Sequence, residues 1–189
     1  MMAVMAILAM CFAPAYAAVW SGNGHDYLII YTNNPIDSLS EAEGLLPSDY
    51  FLADIVSAEE NLFIRNLIGD QNQNSTGYVL GAEFIENDGW YWTRTNTQFW
   101  DVTSGDTGYT NWADYDNDGT PEEPSMDNTR PLLLTMWGDQ SQHWGFWNDE
   151  GTADNRKAIV AEAVPIPGAL ILFGTGLLGL FGINRRYPR

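Results

Sequence analysis

Leu52-Ala53-Asp54-Ile55-Val56-Ser57-Ala58-Glu59-Glu60-Asn61 is the stretch on which the fold turns. It begins in a brief apolar segment, 51–56, and ends in the start of a helix. Ser57 and Glu60 stand three apart, the spacing of a capping box. The serine hydroxyl accepts from the Glu60 amide, and the glutamate reaches back over the start of the helix. Beyond it Phe63, Ile64, Leu67 and Ile68 fall on one helical face, and the run stops near Gly69. Upstream, 37–46 reads as a shorter helix capped by Asp37 or Ser38. Before that, 25–31 is a strand, rich in β-branched and aromatic residues after the Gly22-Asn23-Gly24 turn.

Downstream, 70–76 is a polar loop. Segments 78–84 and 90–95 are strands joined through Asn87-Asp88-Gly89, a strong hairpin signal. From 96 to 130 periodicity is weak and Gly, Asn, Asp and Thr abound, so about 35 residues read as one long functional loop. Strands at 132–136, 145–147 and 158–162 complete the chain, and there is no internal repeat. At 189 residues it can hold one domain with a real core, and its eight tryptophans suit a domain that buries large rings.

Inside the long loop lies Asn-Trp-Ala-Asp-Tyr-Asp-Asn-Asp-Gly-Thr-Pro-Glu-Glu-Pro-Ser-Met-Asp-Asn, residues 111–128. It gathers Asp114, Asp116, Asp118, Glu122, Glu123 and Asp127 with no Lys or Arg among them. Like charges crowded this way cost free energy unless water or a cation neutralises them. Asp114-x-Asp116-x-Asp118-Gly119 has the spacing of a calcium loop, in which alternate oxygens turn inward and the glycine permits a tight bend. An EF-hand would put a bidentate Glu at the twelfth position, where this chain has Ser125, and would flank the loop with apolar helices. Two readings stand: a calcium-type loop on another scaffold, or a solvated acidic loop.

The order of these pieces resembles the C-type lectin-like domain. The resemblance is carried by the 52–61 stretch, Val79-Leu80-Gly81-Ala82, Gly89-Trp90-Tyr91-Trp92, Asn111-Trp112, Trp147-Asn148-Asp149 and Ala158-Ile159-Val160-Ala161-Glu162. It covers about 20–163 and implies an α+β fold: two helices, small antiparallel sheets, a long calcium-type loop, and first and last strands that pair. The family also implies a calcium held by a Glu-Pro-Asn or Gln-Pro-Asp loop motif and by the Trp-Asn-Asp strand. Glu123, Asn148 and Asp149 carry over as ligands, with Ser125 where the family has an amide or acid. A further acidic ligand usually follows, where this chain has Thr129-Arg130-Pro131; Asp116, Asp118 and Asp127 are the substitutes nearby. The implied function is calcium-dependent carbohydrate binding, with Trp112, Trp144 or Trp147 as stacking surfaces. Trp112 and Trp147 fit core positions better, which leaves Trp144 as the ligand-facing ring beside Glu123, Asn148 and Asp149. The alternative is a non-catalytic structural or protein-interaction module in which calcium only stiffens the loop.

The ends read separately. Residues 3–12 are nearly all apolar and Ala15-Tyr16-Ala17 is a signal-peptidase pattern, so 1–17 is expected to be a signal peptide and 18–163 the exported domain. Cys11, the single cysteine, lies in that signal, and the domain is expected to hold no disulfide. Val164-Pro165-Ile166-Pro167-Gly168, an apolar run at 169–183 and Arg185-Arg186 resemble the PEP-CTERM sorting signals in a Val-Pro-x-Pro variant. That resemblance implies an exosortase-type processing enzyme, transient insertion in the inner membrane, and a final place on the cell surface or in the exopolysaccharide matrix of a Gram-negative bacterium. Gly174-x-Gly176-x-x-Gly179 matches the dinucleotide fingerprint, but no strand-turn-helix unit surrounds it.

Between the ends, all 25 acids face only Arg65, Arg94, Arg130, Arg156 and Lys157, a net charge of −20 that excludes nucleic acid as a partner. Catalysis has little to work with. His25 and His143 are the only histidines, and no Ser-His-Asp order or zinc spacing is present.

Overall fold

The capping box forms as the spacing predicts. Ser57 Oγ accepts from the Glu60 amide at 3.2 Å, while Glu60 Oε2 accepts from the Val56 amide at 2.8 Å, one residue before the cap. The helix that follows, α2 (Ala58–Gly69), buries Ile64 and Ile68 and rests Phe63 and Leu67 on the same core. The computed structural model describes residues 16–69, 77–126, 132–138, 141–150 and 156–165. The expected signal peptide up to residue 15 and the apolar tail from residue 166 lie outside them. Among the described residues no helix is long and apolar enough to cross a membrane.

In chain order the elements are β1 (Tyr16–Val19), β2 (Asp26–Tyr31), α1 (Leu39–Gly44), β3 (Phe51–Leu52), α2, β4 (Gly77–Val79), β5 (Ala82–Ile85), β6 (Gly89–Trp92), β7 (Thr97–Asp101), β8 (Gly105–Asp106), β9 (Leu133–Trp137), β10 (Trp147–Glu150) and β11 (Arg156–Ala163). Ser38 caps α1, its hydroxyl accepting from the Glu41 amide at 3.2 Å. One sheet runs β1-β2-β11-β4-β9-β10, with β3 also on β11; the other is the meander β5-β6-β7-β8. The strand expected first, β2, pairs with the last, β11, Ile30 opposite Ile159, and β1 adds an edge strand outside β2. The larger sheet is mixed rather than purely antiparallel, because β4 runs parallel to β11 with Val79 opposite Ile159. The expected boundary after Ala17 falls inside β1, where Ala17 pairs with Leu28.

Two sequence expectations need correction. The strand expected at 78–84 is two strands in different sheets, and the chain changes sheet at Leu80-Gly81. Leu80 N–H still reaches Leu134 O, while Gly81 N–H turns to Ala53 O at 2.9 Å and Gly81 O accepts from Thr93. A Cβ on Gly81 would lie 2.6 Å from Leu52 O, so only glycine lets the chain cross so close to β3. The long loop also starts later than expected, because β7 and β8 extend the hairpin through 106. In β7 only Phe99 is fully buried, stacked on Trp92 at 4.3 Å, too little alternation to reveal a strand.

The core between α2 and the sheets is aromatic. Trp147, at 0% exposure, stands edge-on to Trp92, Phe99, Tyr109 and Trp112, and its Nε1–H donates to Asn61 Oδ1 at 2.8 Å. Trp112 is buried beside it. Both tryptophans are therefore packing residues, and this packing fixes the site. Trp112 bridges Trp147, whose amide donates to Asn111 O at 2.7 Å while Ala113 N–H donates to Trp147 O, so the loop is pinned to β10 where the acids begin.

Candidate functional site

Strand β10 carries Trp147, Asn148, Asp149 and Glu150, all buried. A short segment of the loop, Glu123 to Met126, closes over it. Asp149 Oδ1 accepts from the Ser125 amide at 3.1 Å and from Ser125 Oγ at 3.3 Å, and its Oδ2 accepts from the Met126 amide at 2.9 Å. Glu123 Oε2 accepts from the same Ser125 amide at 2.7 Å, which sets two carboxylates around one N–H. Burial first, and the neighbouring Glu123 next, push the Asp149 carboxyl up from 3.8 to about 7. Asn148 is 8% exposed; its Nδ2 lies 3.5 Å from Glu150 Oε1, and its Oδ1 is buried with no hydrogen-bond partner.

Tyr115 locks this group to the loop. Its hydroxyl donates to Glu123 Oε1 at 2.6 Å and its amide to Glu122 Oε2 at 2.5 Å. Burial and the bond to Glu123 raise the phenol far above its ordinary value. Its ring, 39% exposed, meets His143 edge-on at 4.9 Å.

The rest of the acidic loop folds on its own carboxylates. Asp114 Oδ2 accepts from the Gly119 amide at 2.8 Å, Asp116 Oδ1 from Asp118 N–H at 3.1 Å, and Asp118 Oδ1 from Thr120 N–H at 2.8 Å. Asn117 and Gly119 take left-handed backbone, at φ 59° and 90°. One oxygen each from Asp114, Asp116 and Glu122 comes within 4.8 Å of the others.

Solved structures of the same shape decide the fold. Human lithostathine superposes with a TM-score of 0.55 over 79% of this chain and 97% of its own, at 13% identity. The cow C-type carbohydrate-recognition domain of CD23, solved in the presence of a GlcNAc2Man3 oligosaccharide, superposes with a TM-score of 0.51 over 75% of this chain and 89% of its own, at 19% identity. The fold is C-type lectin-like. By sequence, no family model and no curated protein matches the chain.

Hydrogen bonds bring Glu123, Ser125 and Asp149 together, Asn148 stands next along β10 with its side chain on Glu150, and Asp114, Asp116 and Glu122 form a separate group. Asp118 turns to Thr120 instead of joining that group. Asp127 and Arg130 lie outside the described residues. Trp144 is placed otherwise than expected. Arg65 Cζ lies 4.3 Å over its ring, and a Cβ on Gly69 would run into the indole, so Trp144 packs on α2. The chain turns there through Gly145, at φ 89°, against the Arg65 side chain.

A divalent cation fits the residues present. Glu123 and Asp149 are buried side by side, which raises the Asp149 carboxyl, and such a pair of hard oxygens is what a divalent cation takes; Asn148, next along β10, has a further unpartnered carbonyl oxygen. Sequence reasoning missed Glu150 and Tyr115. Glu150 is 6% exposed, with an unpartnered buried Oε2 and a carboxyl raised mainly by burial, but alone it reads as the end of a strand. For Tyr115 the signal was its place between two acids of the loop.

Proposed function

We propose that the protein binds carbohydrate through a calcium ion held by Glu123, Asn148 and Asp149, with Ser125 alongside. The observation that carries this is the pair of buried carboxylates, Glu123 and Asp149, that converge on the one Ser125 amide. Calcium, when bound, neutralises the acids and offers open positions to a pair of neighbouring sugar hydroxyls. Glu123 and Asn148 then serve twice, since their remaining lone pairs and N–H groups can bond the same hydroxyls. Tyr115 and His143, rather than Trp144, supply the exposed aromatic edge beside the site. The cow domain of this fold was solved with an oligosaccharide present, which makes sugars the ligand class to test first.

One observation favours the second reading, a structural or protein-interaction module. Ser125, Met126 and Tyr115 already hold both carboxylates in place by hydrogen bonds. A glycan array with the full chain, run in calcium and again in chelator, separates the two. Chelator-sensitive sugar signal supports the first; binding to protein partners alone, with no sugar signal, supports the second.

Export and sorting complete the proposal. Residues 1–17 direct secretion, and 164–189 hold the precursor briefly in the inner membrane until an exosortase-type enzyme removes the apolar segment. The product then joins the cell surface or exopolysaccharide matrix of a Gram-negative bacterium. Val164-Pro165-Ile166-Pro167 supports this, because paired prolines keep the cleavage region extended and accessible. Intact-mass measurement on protein from the native cell tests it; a species that still ends at Arg189 is a permanently anchored protein.

A further inference from the structure

A second concave place in the molecule takes no part of its lining from the acidic loop. A pocket of about 410 Å3 opens between α1, β3 and the end of β6, lined by Glu43, Leu46, Phe51, Leu52, Thr93 and Arg94. That volume lies within the range of small-ligand sites, roughly 300–1,000 Å3. Its cation is fixed from behind. Arg94 Nε lies 3.4 Å from Asp54 Oδ2 and its Nη2 3.3 Å from Glu162 Oε2, and both acids are 1% exposed. His25 Nδ1 bonds the other Glu162 oxygen, and the Asp54 amide donates to Glu162 Oε2 at 3.3 Å, so the anchoring acids are themselves held. Among the described residues nothing accepts from Arg94 Nη1. The opposite wall is apolar: Phe51 is 48% exposed, and pairing of β3 with β11 fixes its backbone opposite Glu162.

The lining selects one ligand class by its chemistry. A free anion meets a single arginine already shared by two acids, with Glu43 at the rim, so the local charge repels it. An acyl chain needs a continuous apolar wall, which Thr93, Arg94 and Glu43 interrupt. A cationic side chain would face the Nη1 donors. A neutral pyranose meets every wall: its C–H face lies on Phe51, one hydroxyl oxygen accepts from Arg94, and another hydroxyl donates to Glu43. We propose that this pocket is a second saccharide subsite, independent of any metal ion, with Phe51 as the stacking surface and Arg94 and Glu43 as the hydroxyl partners. Burial of Asp54, which raises its carboxyl from 3.8 to about 6, is a cost the fold carries to keep Arg94 in place.

The test is saturation-transfer NMR on the full chain in EDTA, with glucose, galactose, mannose, N-acetylglucosamine and their β-linked dimers as probes. The expected result is transfer from at least one probe in chelator. It weakens about five- to tenfold in Phe51→Ala, the loss of one aromatic contact, and falls in Glu43→Gln. Both substitutions sit on exposed side chains, so the fold survives them. Asn148→Ala, which disables the proposed calcium site, should leave this signal unchanged. No transfer in EDTA, transfer indifferent to Phe51→Ala, or binding displaced by a lysine-rich peptide but by no sugar would each overturn the proposal. Failure here leaves the chelator-sensitive array signal untouched, and the reverse also holds.

Discussion

Replacing Asp54 by Asn should make the protein more stable at alkaline pH and no more stable at acid pH. Asp54 is 1% exposed; Arg94 Nε stands 3.4 Å from its Oδ2, and the Thr95 side chain and the Glu162 carboxylate lie beside it. Burial, partly opposed by Arg94, raises its carboxyl from 3.8 to about 6. Folding therefore favours the protonated form, and ionising the buried acid works against the fold. Wild-type stability from this group is highest below about pH 4, falls as pH rises to about 6, and is level above that. Two pKa units at 1.36 kcal/mol each put the total near 3 kcal/mol. The Asn variant is free of that loss but gives up the pairing with Arg94, worth about 1 kcal/mol. It should gain about 2 kcal/mol over wild type at about pH 8 and lose up to about 1 kcal/mol at about pH 4. Urea unfolding in EDTA, followed by tryptophan fluorescence at both pH values, measures the difference. Equal destabilisation of the variant at both pH values would refute the reasoning, since it would mean that Asp54 is a charged partner of Arg94 throughout.

Calcium at about a thousandfold excess over its dissociation constant should raise stability by about 4 kcal/mol, seen as a higher melting temperature, and Asn148→Ala should remove most of the shift. Within the acidic loop, Asp116→Ala should reduce the calcium response more than Asp118→Ala, because only Asp116 belongs to the grouped oxygens; calorimetric titration of both variants decides. Trp147→Ala should cost about 3–5 kcal/mol in urea unfolding, for it opens the centre of the ring cluster and leaves Asn61 without its donor. Ser57→Ala removes the cap of α2 and should cost about 1 kcal/mol by the same assay, with no change in sugar binding; a loss of binding without a loss of stability would show that α2 reaches the site.

Local signals alone determined a good part of this protein. Ser57 and Glu60 cap α2 because the hydroxyl and carboxylate need only neighbours three residues away. Asn87-Asp88-Gly89 turns the β5–β6 hairpin because Asn87 and Gly89 can take positive φ, 64° and 155° here. Ordered along the chain, these motifs carried the resemblance to the C-type lectin-like fold, which the structure shares. What tertiary structure decided depends on contacts between distant residues. Leu80-Gly81 leaves one sheet for another because Leu52 O approaches it, and Trp144 turns from ligand to packing because Arg65 covers it. Asp149 reaches about 7 only once burial and Glu123 meet, 26 positions apart in the chain. Charge and type are properties of a residue, but burial, pairing and pKa are properties of its neighbours, and folding chooses those.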